Sequence, residues 1–347
     1  MSRTHWTLAD IQKLYHLDVE IGRQLLLNAE ASGEIPSSQR ITRGQAKVRT
    51  WTTDQLPSIG AKYGFLRRPE KPIVISLFVQ KGGVLKTTTA HNLARVLALS
   101  GVKVLVIGTD FECSITDLML PQKEITSLTD SEVNDQVGLF HFFEENAAIT
   151  DVIINTDLPT LDIIPETHEL NLLEKVLRNK QRREYCFVDQ LLPKLSNYDV
   201  IIFDNGPGWN MLIENVLTAS NVVVAPLGCT LLAYKATQTN MDTIDEFVAV
   251  MRLSLKTITI ATMLDDSNIS KQIYERYLAE FSSSIIPVPI RTSSKGQAAQ
   301  IYGQSIFEYA PTSSLAIDYK KVITTLWTQL GNECPSEHFV DISNDEL

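Results

Sequence analysis

From Ile73 onward the chain alternates two hydrophobic periods. Continuous apolar runs rich in β-branched residues recur at Ile73–Val79, Val102–Gly108, Leu161–Ile164, Val200–Phe203, Val222–Pro226, Thr257–Met263 and Ile285–Pro289. Runs without polar alternation suit strands buried on both faces of a parallel sheet. Between them lie patterns with helical spacing at Ala90–Leu99, Leu170–Leu177, Met211–Ala219, Ala236–Met251, Ser270–Phe281 and Ser314–Leu330. The alternation predicts an α/β fold with a doubly wound, mostly parallel sheet. A polar stretch, Glu124–Gln136, reads as a loop, and Glu337–Leu347 as a frayed acidic end.

The first 68 residues follow another pattern. Thr7 is placed as the N-cap of a short helix reaching Leu17, and Asp18 as the cap of a second through Ile21, Leu25, Leu26 and Ala29, ending at Gly33. Ile35-Pro36 breaks the chain, Arg40–Trp51 is basic and β-leaning around Gly44, and a third helix starts near Thr53. Pro69 and Pro72 mark a linker. The expected division is a small helical domain over 1–68, a linker at 69–72, an α/β domain over 73–335 and an acidic tail over 336–347.

Charge sharpens this division. The net charge of −10 hides a basic head: residues 1–72 hold 11 Lys+Arg against 7 Asp+Glu, leaving 20 basic and 34 acidic residues for the rest. A basic head on an acidic body points to nucleic-acid contact in the head. No apolar stretch approaches the roughly 18 residues of a membrane span, and the N-terminus lacks the apolar centre of a signal peptide. Four scattered cysteines without metal-ligand spacing read as reduced thiols. A cytoplasmic protein without a membrane partner is expected.

The chemistry concentrates in Lys81-Gly82-Gly83-Val84-Leu85-Lys86-Thr87-Thr88, between the first strand of the α/β region and its first helix. A strand, glycine turn and helix N-terminus aim backbone N–H groups at one point, where a phosphate fits. The run resembles the deviant Walker A loop of the ParA/MinD group of P-loop ATPases, Lys-Gly-Gly-x-Gly-Lys-[Ser/Thr]-Thr. Leu85 stands where the family has glycine. A leucine held left-handed costs roughly 1–2 kcal/mol, and its side chain is expected to crowd the phosphates.

Three further stretches extend the resemblance over about Ile73 to Leu330. After the second strand, Gly108-Thr109-Asp110-Phe111-Glu112 stands where ParA-like proteins carry Asp-x-Asp-Pro-Gln, so Asp110 matches the second aspartate and Gly108 replaces the first. Tyr198–Gly208 matches a Walker B strand ending in Asp204, with Gly206 in place of the family's first proline. Asn221–Pro226 matches the strand whose proline lies beside the nucleotide, and Ile301–Pro311 the family's C-terminal Gly-x-x-[Ile/Val]-x-x-Tyr-x-Pro stretch.

The resemblance implies a P-loop NTPase that binds ATP and Mg²⁺ and dimerises around them. Residues 81–88 and Pro226 are the expected nucleotide contacts. Lys81 crosses to the partner's phosphates, Lys86 binds phosphate in its own subunit, Thr87 and Asp204 hold Mg²⁺, and Asp110 orients water. The implied role is DNA partition: a homodimer on the nucleoid, acting with a ParB-type centromere-binding partner and repressing its own operon. Arg291 and Lys295 are candidates for DNA contact near the C-terminus, along with Lys320 and Lys321. The head resembles the winged helix-turn-helix of MerR-type regulators. There Arg23 lies on the groove helix, and Arg40, Arg43, Lys47 and Arg49 form a wing on phosphate. Two alternatives stand beside this reading. One is an ATPase-impaired repressor on a decayed loop, for which Leu85 and Gly108 speak. The other is a MinD-like membrane switch, against which the acidic C-terminus speaks.

Overall fold

The computed structural model describes residues 3–43, 46–112, 114–120 and 136–335. Among these residues eight strands form the main sheet: β4 (Ile73–Leu77), β5 (Val104–Thr109), β6 (Ile154–Asn155), β7 (Leu161–Ile164), β8 (Val200–Asn205), β9 (Val222–Gly228), β10 (Lys256–Leu264) and β11 (Ile285–Arg291). Their order is β11-β10-β9-β4-β8-β5-β7-β6. Every pairing is parallel except that of the two-residue β6 with β7. Because β8 and β9 flank β4, the order in which successive strands are laid down reverses there, although all three strands run parallel. Loops leaving β4, β5 and β8 therefore open at the same carboxyl edge, the place where open α/β sheets bind ligands.

All seven expected strands are present, and the differences have physical reasons. β9 continues two residues past Pro226 to Gly228. The proline pairs with Ile260 beyond the last rung to β4, at Val224, so the ladder passes through it on one side only. The helix after the glycine turn begins at Lys86, earlier than the apolar pattern from Ala90, and runs to Leu99. The helix expected from Ala236 starts at Leu231, where the Thr230 hydroxyl accepts from the Ala233 N–H. Helices 114–119, 139–144, 149–152, 294–301 and 306–309 are not marked by the pattern; none exceeds eight residues, too short to establish a period. The acidic tail, the polar loop up to residue 135 and Cys113 lie outside the described residues.

The head contains β1 (His5–Thr7), β2 (Gln39–Arg43) and β3 (Ala46–Thr52) in an antiparallel sheet of order β1-β3-β2, with helices at Leu8–Leu14, Val19–Ala31 and Leu56–Tyr63. Both expected caps are formed. Thr7 and Asp10 make a reciprocal capping box, and the Asp18 carboxylate accepts from the N–H groups of Glu20 and Ile21, both at 2.9 Å. The first helix stops at Leu14, short of Leu17, because His16 turns left-handed at φ 52°.

Head and body share one hydrophobic core. Trp6, Ile11, Tyr15, Leu26, Trp51 and Ile59 belong to the same buried cluster as helix 86–99, one face of the sheet and helix 314–329. The Tyr15 hydroxyl lies 2.7 Å from the Leu56 carbonyl and 3.0 Å from that of Leu99. Gly60 is required by this approach, since a Cβ there would stand 1.7 Å from the Leu99 carbonyl oxygen. Residues 69–72 are bracketed by the ion pair of Arg68 with Asp199 and the start of β4.

Candidate nucleotide site

The loop after β4 closes onto helix 86–99 through two left-handed residues, Gly83 at φ 71° and Leu85 at φ 66°, ψ 30°. The strained conformation at Leu85 is therefore built into the fold. Its half-buried side chain packs against the main core instead of standing free in the turn. Gly82 and Gly83 are exposed, and a Cβ on either would meet no atom within 4 Å, so the rim of the loop is open. Behind it the loop is anchored: the Thr262 hydroxyl donates to the Val84 carbonyl at 3.1 Å, and Gln300 Nε2 donates to the Thr88 hydroxyl at 2.7 Å.

Charged groups converge beneath this loop. Lys86 is buried, and its Nζ donates to the carbonyl of Lys81 at 2.8 Å, bending its ammonium back over the turn. Burial lowers the Lys86 pKa, opposed by the charges of Asp204, Asp110 and Glu112. Asp204, at the carboxyl end of β8, is completely buried. Neither of its oxygens makes a well-formed hydrogen bond among the described residues. Burial, reinforced by Asp110, pushes its carboxyl up to about 7, although the Thr87 hydroxyl and Lys86 pull it down. A buried carboxyl so weakly partnered is costly in a dry site, and a cation arriving with a nucleotide would satisfy it. Mg²⁺ binds through one or two carboxylates and keeps several waters. The Thr87–Asp204 pair fits that need, although among the described residues no three acidic, histidine or cysteine side chains cluster as a metal site by themselves.

Sequence reasoning missed two residues here. Asn205 is buried at the junction of three strands: its Nδ2 reaches the Ser76 hydroxyl and the Leu77 carbonyl, and its Oδ1 accepts from the Thr109 hydroxyl at 2.7 Å. It fixes the carboxyl edges of β4, β5 and β8 relative to one another. Glu166, two residues past β7, enters the same region, with its carboxyl pushed up to about 8 by burial, then by Asp204 and Asp110. No sequence period marks either, because both act across strands. Of the expected set, Lys81, Lys86, Thr87, Asp110 and Asp204 gather around the loop. Pro226 is buried within β9 instead of standing at the strand's end.

A family model described as an AAA domain matches residues 73–260, more than half of the chain. The chromosome partitioning protein ParA of Caulobacter vibrioides is 30% identical over 241 residues, covering 68% of this chain and 86% of the relative. The chain belongs to the ParA family of P-loop ATPases. The fold agrees. A plasmid partition protein from Borrelia burgdorferi bound to AMPPNP superposes with a TM-score of 0.61 at 22% identity, over 75% of this chain and all of the other. Cobyrinic acid a,c-diamide synthase from Mycobacterium smegmatis, with bound ADP and magnesium, gives 0.61 at 23% identity over 78% of this chain and 99% of its own. ATP and Mg²⁺ are the cofactors of this ATPase family.

The candidate DNA contacts fall into two groups. Arg23 on helix 19–31 and Arg40 and Lys47 on the β2–β3 hairpin are exposed and make no ion pair among the described residues. Arg43 ends β2. Arg49 instead pairs with Glu30, tying the hairpin to the second helix. Near the C-terminus Lys295 is exposed, whereas Arg291 is held by both oxygens of Asp318, at 2.8 and 2.7 Å. Lys320 lies over the Phe65 ring, in the junction between head and body.

Proposed function

We propose that this chain is a partition ATPase that moves a plasmid or chromosomal locus, switching between monomer and DNA-bound dimer with ATP. The observation that carries the reading is the signature loop set above an orphaned, buried Asp204. When bound, Mg²⁺·ATP supplies the phosphoanhydride that water cleaves and the metal that spreads the charge. The chain's residues bind and orient. N–H groups of the turn and helix start would face the phosphates, and Lys86 would exchange the Lys81 carbonyl for a phosphate oxygen. Thr87 and Asp204 would hold the cation, and Asp110 would orient the attacking water. Lys81, half-buried at the loop's mouth, is the residue assigned to a second subunit's phosphates, a role that makes dimerisation depend on nucleotide.

The head is assigned to reading DNA in the manner of a winged helix-turn-helix, with helix 19–31 in the major groove and the β2–β3 hairpin on phosphate. Autorepression of an operon would follow from this assignment, whereas a ParB-type partner is proposed from the likeness to the ParA relatives. Turnover is expected to be weak, because Leu85 stiffens the phosphate turn and Gly108 removes an acidic side chain. These same two residues favour one second reading, a repressor that binds DNA regardless of nucleotide. Light scattering and duplex binding of the full chain, with and without ATP·Mg²⁺, separate the two. Nucleotide-driven dimerisation with a change in DNA affinity supports the switch; identical behaviour in both conditions leaves the repressor.

A further inference from the structure

The acidic side chain missing at position 108 has a replacement in space. Gly108 is the penultimate residue of β5 and pairs in register with Asp204. A Cβ built on it would lie 2.3 Å from Glu166 Cγ, 2.6 Å from its Cδ and 2.9 Å from its Oε1. The Glu166 carboxyl thus occupies the volume that a side chain at 108 would take. It is held there: Oε2 accepts from the Thr116 N–H at 3.1 Å and hydroxyl at 3.0 Å, while the Glu166 N–H donates to the same hydroxyl at 2.9 Å. Oε1 is buried and has no hydrogen-bond partner among the described residues. The Asp110 carboxyl in turn packs close over Gly206, where a Cβ would stand 2.9 Å from Asp110 Oδ1.

We propose that Glu166 is a positioning residue of the nucleotide site, supplying from the β7 loop the carboxyl that Gly108 lacks and backing Asp110 and Asp204 when Mg²⁺·ATP is bound. The proposal rests on reading the site as a nucleotide site. Glycine at 108 and glutamate at 166 are then one coupled arrangement, since the strand-borne side chain and the loop-borne one compete for a single volume. A carboxyl at this place is kept, although it comes from the loop after β7 instead of from β5. Burial and the neighbouring carboxylates, which raise the Glu166 pKa, agree with its placement beside Asp204 and Asp110.

The test is the Mg²⁺ concentration needed for half-maximal ATP binding by the full chain, followed by calorimetry, with melting temperature read alongside. Glu166→Gln keeps the shape and an acceptor for Thr116, and should raise that midpoint by about 10–100-fold, the usual cost of losing a partner behind a metal ligand. Gly108→Asp alone should impair binding through collision with Glu166, and Gly108→Asp combined with Glu166→Ala should recover most of the loss. A purely packing role would lower the melting temperature of Glu166→Gln and leave its Mg²⁺ midpoint unmoved, which overturns the proposal. So does a double variant no better than Glu166→Ala. If the wild-type chain binds no ATP·Mg²⁺ at all, the nucleotide reading itself fails; if it binds and Glu166→Gln matches it, only the role of Glu166 fails.

Discussion

The two charged regions of this molecule are organised in opposite ways. At the carboxyl edge of the sheet, Asp204 is buried with both oxygens orphaned, and Lys86 directs its ammonium at a backbone carbonyl. In the head, charges are neutralised where they meet: Arg3 with Asp10, Arg49 with Glu30 and Lys62 with Glu34. Among the basic groups left over, Arg23, Arg40 and Lys47 are exposed to water. The first region gathers buried carboxyls beside Lys86, a set that a small, doubly charged cation can complete. The second is self-sufficient and can offer only long-range attraction to a polyanion, which salt screens. The difference teaches which property to measure in each region: affinity for nucleotide in one, salt dependence in the other.

The largest expected effect breaks the first region alone. Lys86→Ala removes the buried cation facing Asp204 and Asp110, and should abolish ATP·Mg²⁺ binding in calorimetry. Salt-dependent duplex binding by the head should persist in the apo protein. Retained ATP affinity would mean that this loop is not the nucleotide site. Loss of both functions with an unchanged melting temperature would show the two regions to be one.

Next in size is the head's response to salt. Replacing Arg40 and Lys47 together by alanine should lower the slope of log affinity against log salt by about 0.9 for each phosphate no longer neutralised, alike for all sequences. Arg23→Ala should instead change which duplex is preferred. A slope that stays the same in the double variant places the DNA surface elsewhere, with Lys295 the next residue to test.

How legible each region was depends on how local its chemistry is. The nucleotide loop could be read because strand, turn and helix are consecutive in the chain, as are the Thr7 and Asp18 caps of the head. Glu166 and Asn205 could not, since their importance comes from strands brought side by side. Arg49 reads as a wing cation until the hairpin folds onto helix 19–31 and delivers Glu30. The basic composition of the head was visible, whereas its shared core with the body was not: Gly60 and Gly101 give no hint that helix 56–63 packs onto the end of helix 86–99. A Cβ on Gly101 would stand 2.7 Å from that of Ala61.

That shared core makes a third comparison possible, by pH. His16, in the head, packs against the paired rings of Phe65 and Phe307. Its pKa falls to about 3 through burial, with Lys320 adding to the effect. His91, in the body, is likewise lowered to about 3 by burial, then by Arg95. An unfolded histidine titrates near 6.5, so below that pH the unfolded chain binds more protons. Stability is therefore full above about 6.5 and falls as pH drops toward 3, by about 1.4 kcal/mol per histidine for each pH unit. His16→Asn, which tolerates the left-handed backbone, should flatten this slope, with head and body still melting in one transition. Two separate transitions in the wild type would show that the core is divided.

The smallest effect belongs to Leu85→Gly. Were the left-handed turn formed only when phosphate binds, relief of its cost would appear as tighter ATP binding. The turn is left-handed as part of the fold itself, and its cost of about 1–2 kcal/mol is assigned to folding. Glycine relieves that strain, and its greater loss of chain entropy on folding, about 0.4–1 kcal/mol, offsets part of the gain. It also forfeits the packing of Leu85 against the core. The melting temperature should therefore move by no more than a few degrees, and ATP affinity should change by less than about tenfold, equivalent to 1.4 kcal/mol. A larger gain in affinity would mean that the leucine side chain, and not its backbone, obstructs the phosphates, and would strengthen the case that this ATPase is held back at its own loop.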